Sequence, residues 1–414
     1  MYIKYIQKNY GIIIFLISFF SLLVGFFLNE DGTGTPLAGD FRDTLPYINE
    51  LKKNLFIDPS PWTVHFPLHY ILISWIDILF LNNIYITRLI FCLLSASIPL
   101  VFYFCLKEKF NNNNNNNLLI LSSIVFLTPS FRYSAIWAND HIFASFFFLL
   151  SLYFFIKWLR LVKARKKNLI KPFLSIIFLT IACYSRQYYV VFFSVYLYYY
   201  FLHIDLKRFI IIFFFCFLLS LPGFLFLLKF PNLIGNLKFS TSIFNTVFGN
   251  FSALLVYSFP IFFCNLIAKN NQIINIKKIL LTTLLFVIFF FIFENKLDYI
   301  ENLNLGAFFT LSNIFFNNYY FFYVTIVLGF VFTTNLIQSK LDLFIILLII
   351  FTISGYVVLQ KYFEPLFYFL FFLLMDSKFK YIILKNKKIC MVYFLFAVAY
   401  YIITISDIIY KIKI

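Results

Sequence analysis

Long apolar runs recur along this chain, each ended by a short polar loop and most close to the length of a membrane-crossing helix. They predict spans at about 10–28, 88–106, 118–133, 142–158, 172–185, 188–203, 209–228, 251–268, 279–293, 319–337, 343–359, 363–375 and 389–406. In lipid, backbone groups must bond within their own segment, so such runs are helical although Phe, Ile and Tyr favour sheet in water. The expected fold class is all-α: a polytopic membrane protein of about 13 transmembrane helices, residues 1–414 forming one membrane domain.

The lysines and arginines gather in alternate loops. With the N-terminus in the cytosol, most of the 34 basic residues fall on the cytosolic side, including Lys157, Arg160, Lys163, Arg165, Lys166, Lys167 and Lys171 in one loop. The stretch 66–81 is apolar enough to cross, but it is short, carries Asp77 and follows Pro67. If it crossed, every later loop would change sides and the loop 157–171 would face the wrong way. It is therefore expected to lie along the outer interface as an amphipathic helix, with Trp75 near headgroup level. The first outer loop, 29–83, is the longest segment outside the spans, and Asn111–Asn117 reads as a disordered low-complexity insertion.

Composition agrees with a bilayer: 62% of residues are hydrophobic and 12% charged, more apolar surface than a soluble core could hide. The formal charge of +17 is explained by basic residues flanking spans, and no nucleic-acid partner is expected. The six cysteines lie in or beside apolar runs without a C-x-x-C, as small core residues do. No cleavable signal peptide is expected, because the first run is longer than a signal h-region and lacks a small-x-small site.

With this topology the candidate polar residues collect on the outer face. Asp40 and Asp43, with Arg42 between them, stand just beyond the first span; a carboxylate in a partly dry pocket can act as general base toward a sugar hydroxyl. Either aspartate could equally cap a helix running to about Leu55. Asp140 and His141 open the span near Ile142, where Asp140 is a functional acid or an N-cap. Arg186, followed by Gln187, interrupts an apolar stretch: it offers a bidentate donor for phosphate, or it snorkels to the interface. Lys361, Tyr362 and Glu364 form a further outer turn, in which the lysine and glutamate could neutralise one another. His65 and His69 read as interfacial residues within reach of substrate, and His203 as structural. No cofactor is expected; two outer-loop acids would hold a divalent ion only with a third oxygen donor, which the sequence does not identify.

These motifs resemble the GT-C superfamily of membrane glycosyltransferases that use polyprenyl-phosphate sugars. Within it, the chain is most similar to the dolichyl-phosphate-glucose alpha-1,2-glucosyltransferase family of N-glycan precursor assembly. That family has an Asp-Glu pair leading into x-x-x-Leu-Pro; here Asp40 is followed by Phe-Arg-Asp-Thr-Leu45-Pro46, the second acid standing at Asp43. Its Pro, aromatic run and Thr-Glu correspond to Pro129 leading to Asn139-Asp140, and its Phe-Arg-Gln to Ser185-Arg186-Gln187. Its Arg-Tyr-Phe stretch followed by Pro corresponds to Lys361-Tyr362-Phe363-Glu364-Pro365, with lysine for arginine.

The resemblance implies an inverting transferase that moves a sugar, glucose by this likeness, from a polyprenyl- or dolichyl-phosphate donor to a lipid-linked oligosaccharide or other glycan. It implies Asp40 as base and Arg186, with Lys361, at the lipid phosphate, while Asp43, Asp140 and His141 position the acceptor or sugar. The membrane would be that of the endoplasmic reticulum, with a bacterial inner membrane as the alternative. Three rivals stay open: a transporter or flippase of lipid-linked glycans, whose charges would sit near mid-span, a structural subunit of a glycosylation complex, and an O-antigen-type polymerase, which would rely on arginines in large outer loops, scarce here.

Overall fold

A computed structural model of the protein describes residues 2–31, 37–55, 65–111, 114–165, 168–230, 243–268, 276–293, 307–352 and 360–412. Among these residues the secondary structure is helical throughout, with no strand. The chain divides into two compact units. The first comprises Met1–Lys238 with Val398–Ile414, and the second Phe239–Ala397.

In the first unit, α1 (Tyr2–Phe27) is followed by α2 (Leu37–Leu51), α3 (Leu68–Leu79), α4 (Ile84–Phe110), α5 (Asn115–Leu127) and α6 (Pro129–Ile136). Then come α7 (Asp140–Lys163), α8 (Ile170–Cys183), α9 (Phe192–His203) and α10 (Leu206–Lys229). The second unit holds α11 (Ile243–Ile267), α12 (Ile276–Phe293), α13 (Ala307–Phe316), α14 (Tyr320–Leu336) and α15 (Lys340–Thr352). It continues with α16 (Leu366–Phe369), extended by a π turn at Leu370–Leu374, and α17 (Phe379–Lys385); α18 (Lys387–Ile412) is divided between the units.

Among the described residues, six helical stretches are long and apolar enough to cross a bilayer: Asn9–Phe27, Ile84–Phe110, Asp140–Lys163, Leu206–Lys229, Val247–Ile267 and Lys387–Ile405. A seventh crossing is available if α5 and α6, bent by 66° at Thr128, act together. The thirteen expected spans therefore include several elements of a different kind. The run at 118–133 breaks because Pro129 lacks an amide hydrogen and pushes Thr128 into extended backbone (ψ 123). The runs at 172–185 and 188–203 yield helices of 14 and 12 residues, about 21 and 18 Å long against about 30 Å of hydrocarbon. The run at 363–375 is a short helix and π turn packed wholly inside its unit. Residues 353–359 of another expected span lie outside the described residues.

Helix α3 covers the stretch whose crossing the charge argument excluded. At 12 residues it is too short to cross, and Trp75 on it is exposed. Its Asp77 takes Lys52 at 2.5 Å and the Thr87 hydroxyl at 2.9 Å, tying the ends of α2 and α4 together. The helix ends of the first unit sort accordingly. The C-terminal end of α1 meets the N-terminal ends of α4 and α7: Arg88 donates to Asn29 Oδ1 and to the Ile136 carbonyl, both at 3.2 Å, and Trp137 Nε1 donates to the Glu30 carbonyl at 3.1 Å. At the other end, Arg160 of α7 meets Glu108 of α4 at 3.0 Å, among the basic residues.

Arg132 shows how a charge is buried here. It is fully enclosed, and Nε and Nη2 grip Glu30 at 3.0 and 2.7 Å. Its remaining donors reach the Ser21 hydroxyl (3.0 Å), the Ser21 carbonyl (2.9 Å) and the Phe126 carbonyl (3.1 Å). All five guanidinium hydrogens are thereby used, and the group stacks 4.3 Å above Tyr401.

The asparagine tract departs from expectation in its second half. Asn114 caps α5, which begins at Asn115; Asn117 is buried and accepts from Tyr10 at 3.2 Å, while Asn116 accepts from the Gly11 amide at 3.2 Å. Short amide side chains make good caps and inter-helix bonds, so low complexity here still builds structure. Asn112 and Asn113 lie outside the described residues. All six cysteines are free thiols, buried or half-buried.

In the second unit, α14 lies against α11 so closely that a Cβ on Gly329 would stand 1.9 Å from the Phe251 carbonyl oxygen. Gly329→Ala is expected to cost about 1–3 kcal/mol, the usual penalty of overpacking. A lowered thermal unfolding midpoint in detergent would show it; an unchanged midpoint would contradict so close an approach.

Candidate functional site

At the Asp140 end of α7, side chains from five stretches of the first unit come together. The turn before α7 is tight: Ala138 adopts a left-handed backbone (φ 48), and the Asn139 side chain caps the helix by accepting from the His141 amide at 3.1 Å. Asp140 is thus the first residue of the helix and not its cap, which frees its carboxylate for other partners. One oxygen, Oδ1, accepts from Arg186 Nη2; the other, Oδ2, accepts from the Tyr70 hydroxyl at 3.4 Å. Asp140 and Arg186 are both buried, at 3% and 6% exposure, so neither is a snorkelling surface charge.

Arg186 stands between α8 and the 3-10 turn Gln187–Val191, in extended backbone (φ −140, ψ 109). Its Nη1 donates to His65 Nε2, and the other ring nitrogen, Nδ1, donates to Gln187 Oε1 at 2.9 Å. This is the neutral imidazole with its hydrogen on Nδ1. The chain Gln187–His65–Arg186–Asp140–Tyr70 fixes the guanidinium in one orientation from both sides.

His69 and Tyr70, on the first turn of α3, support the carboxylate from below. His69 Nε2 donates to the Ala138 carbonyl at 2.8 Å, holding the strained turn. Its ring lies among Tyr70, Phe91 and Phe143, with centroids 5.5, 5.3 and 5.4 Å away, and its Nδ1 makes no hydrogen bond among the described residues. Burial pushes this imidazole down to about 4, so it is neutral at physiological pH. Burial, and after it the Asp140 charge, pushes the Tyr70 phenol well up, so it stays a donor. His141 faces the Tyr188 hydroxyl, 3.4 Å from its Nδ1.

The first outer loop contributes unequally. Helix α2 starts at Leu37 and ends at Leu51, so neither Asp40 nor Asp43 caps it and it stops short of Leu55. Asp40, half-buried in its first turn, lies close enough to Tyr70 to act on that phenol's charge. Arg42 and Asp43 are exposed, because the helix rotates them away from Phe41, Tyr47 and Ile48, which pack into a core with Tyr70, Phe91 and Phe143.

The structure therefore brings together His65, His69, Asp140, His141, Arg186 and Gln187, sets Asp40 near Tyr70, and leaves Arg42 and Asp43 in solvent. Lys361, Tyr362 and Glu364 belong to the second unit. There Glu364 is buried and accepts from Tyr257 at 2.8 Å; Lys361 and Tyr362 are half-buried. Among the described residues no cluster of three or more His, Cys, Asp or Glu is arranged to hold a metal ion. Sequence reasoning missed Tyr70, since one tyrosine of 29 carries no mark of its role, and it missed the Glu30–Arg132 pair, whose members lie far apart in sequence. Comparison with protein-family models, curated proteins and solved structures gave no match.

The depressed His69 pKa sets a pH dependence. The unfolded chain binds the proton at about 6.5 and the folded one only near 4. Stability from this site is complete above 6.5 and is lost as pH falls toward 4, by roughly 3 kcal/mol at about 1.4 kcal/mol per pH unit. Thermal unfolding in detergent between pH 7 and 4 should show this loss in the native protein and a flatter profile in His69→Gln; equal slopes would refute it.

Proposed function

We propose that this chain is a membrane glycosyltransferase of GT-C type, moving a sugar from a polyprenyl-phosphate donor to a glycan acceptor at the Asp140 end of α7. What carries the reading is the buried, rigidly held Arg186–Asp140 pair at one end of the membrane-length helix α7, with the half-buried acid Asp40 near enough to act on the Tyr70 phenol that donates to Asp140. A lipid-linked donor must present its phosphate at the membrane surface. A charged, always-protonated fork fixed at a helix end is the group that would meet it.

In this reaction the acceptor hydroxyl oxygen attacks the anomeric carbon from the face opposite the phosphate while Asp40 takes its proton. The anomeric C–O bond breaks, and the phosphate leaves with the electron pair as polyprenyl phosphate. Its growing charge is met by Arg186, whose preset orientation costs no reorganisation at the moment of reaction. The arriving phosphate competes with Asp140 for the same guanidinium, and His65 keeps the fork in place during that exchange. Inversion follows from a single displacement. Because phosphate is already a good leaving group, no carboxylic acid is needed to protonate it, unlike glycoside hydrolysis.

Asp140, with His141 and Tyr70, holds the arginine and lines the acceptor side; Asp43 and Arg42, exposed on α2, meet the acceptor's outer sugars. Lys361, Tyr362 and Glu364, in the second unit, are assigned no step in this reaction. By the family likeness the sugar is glucose, the acceptor a lipid-linked oligosaccharide and the membrane the endoplasmic reticulum, with the site on the lumenal side. The reaction needs no cofactor.

Complementation of a glucosylation-deficient strain, read as the size of its lipid-linked oligosaccharide, tests donor and acceptor together. The native chain should restore the full-length glycan, and Asp40→Asn should abolish transfer, by a factor of about 100 or more, without lowering the unfolding midpoint. Normal turnover in Asp40→Asn would sink the assignment of the base.

A further inference from the structure

The other end of α7 carries a second polar feature that sugar transfer leaves unused. Helix α7 has 24 residues, so its two ends lie about 36 Å apart along its axis, a membrane's thickness. Where α7, α9 and α10 end or begin at this level, a pocket of about 290 Å³ opens between them. Trp158, Arg165, Asn168, His203, Asp205 and Arg208 line it. The volume is near the lower bound for small-molecule sites and ample for a phosphate ester.

Its chemistry is that of an anion site. Trp158 forms a rigid wall, buried to 2% exposure and packed edge-on against Tyr200 (4.6 Å) and His203 (6.2 Å). His203 Nδ1 donates to the Tyr199 carbonyl at 3.0 Å, which fixes the ring and leaves Nε2 as its second nitrogen. Two guanidinium groups reach the pocket from different elements, Arg165 from the turn after α7 and Arg208 from the first turn of α10. Arg208 touches one acid in the pocket wall, Asp205, at 3.4 Å, with both side chains partly in solvent. Such a contact is weak and gives way to a better-charged partner.

The surroundings name the source of the anion. Residues next in sequence to the lining, Ile170, Leu202 and Leu206, are large, apolar and exposed, at 65%, 53% and 63%. On a chain of membrane-length helices these side chains belong in the acyl region, which puts the pocket mouth at headgroup depth. We propose that this pocket binds the phosphate monoester headgroup of an anionic lipid, gripped by Arg165 and Arg208 against the Trp158 wall. A soluble phosphate ester shares that chemistry, and the test separates the two.

The purified full-length protein in non-ionic detergent is titrated with dihexanoyl phosphatidic acid, and in parallel with dihexanoyl phosphatidylcholine and inorganic phosphate, binding being followed by thermophoresis. Saturable binding of the phosphatidic acid, absent for phosphatidylcholine and weakened at least tenfold in the double variant Arg165→Gln/Arg208→Gln, supports the site. Lys207→Gln, which changes an exposed cation outside the lining, should alter affinity less than twofold; a loss as large as that of the double variant would reduce the effect to general surface charge and overturn the proposal. Inorganic phosphate binding as tightly as the lipid would keep the phosphate site but assign it to a soluble ester. Should the double variant fail to fold, Asp205→Asn decides: removing the competing acid must tighten lipid binding several-fold, and unchanged or weaker binding overturns the proposal.

Discussion

The ion pair between Arg186 and Asp140 organises one end of the first unit. Taking a guanidinium and a carboxylate out of water costs several kcal/mol for each, a penalty recovered only when each charge meets the other with its remaining donors and acceptors occupied. The surrounding residues meet that requirement in part: His65 and Tyr70 take up further sites on the two groups, Gln187 sets the tautomer of His65, and His69 braces the turn that delivers Asp140. A site built this way is rigid before any substrate arrives. Under the proposed function, that rigidity is its purpose.

The same physics explains why a second buried pair plays a different part. Arg132 and Glu30 are enclosed like Arg186 and Asp140, but the arginine spends all five hydrogens on Glu30, Ser21 and Phe126. It clamps α1 to α6, with nothing left for a ligand. What separates the pairs is what holds the arginine: backbone carbonyls, a hydroxyl and a bidentate acid in one, and in the other a single carboxylate oxygen with a neutral imidazole beside it.

Much of this was legible in the sequence because the bilayer imposes so few choices. Apolar runs announced helices, and the asymmetry of basic residues kept α3 from being read as a crossing; at 12 residues the helix is shorter than a crossing needs. Length was the weak signal: the run at 118–133 hid a 66° bend at a proline, and the runs at 172–185 and 188–203 were apolar yet too short to cross, since burial inside protein selects the same residues as burial in lipid. In the site, Asp140 and Arg186 stood out because charges at membrane depth are costly. Asp43 misled, because spacing alone does not say which side of α2 faces the core; Tyr70 gave no sign, because its role depends on a carboxylate 70 residues away.

Under the proposed function, Arg186 and Asp40 face one substrate, the arginine at the phosphate and the acid at the sugar. Electron cryo-microscopy of the protein with a short-chain polyprenyl-phosphate sugar tests it most directly. The phosphate should lie in hydrogen-bond contact with the Arg186 guanidinium, with the anomeric carbon between that phosphate and Asp40. Density for the phosphate away from Arg186, or a sugar with Asp40 on the leaving-group side, would contradict it.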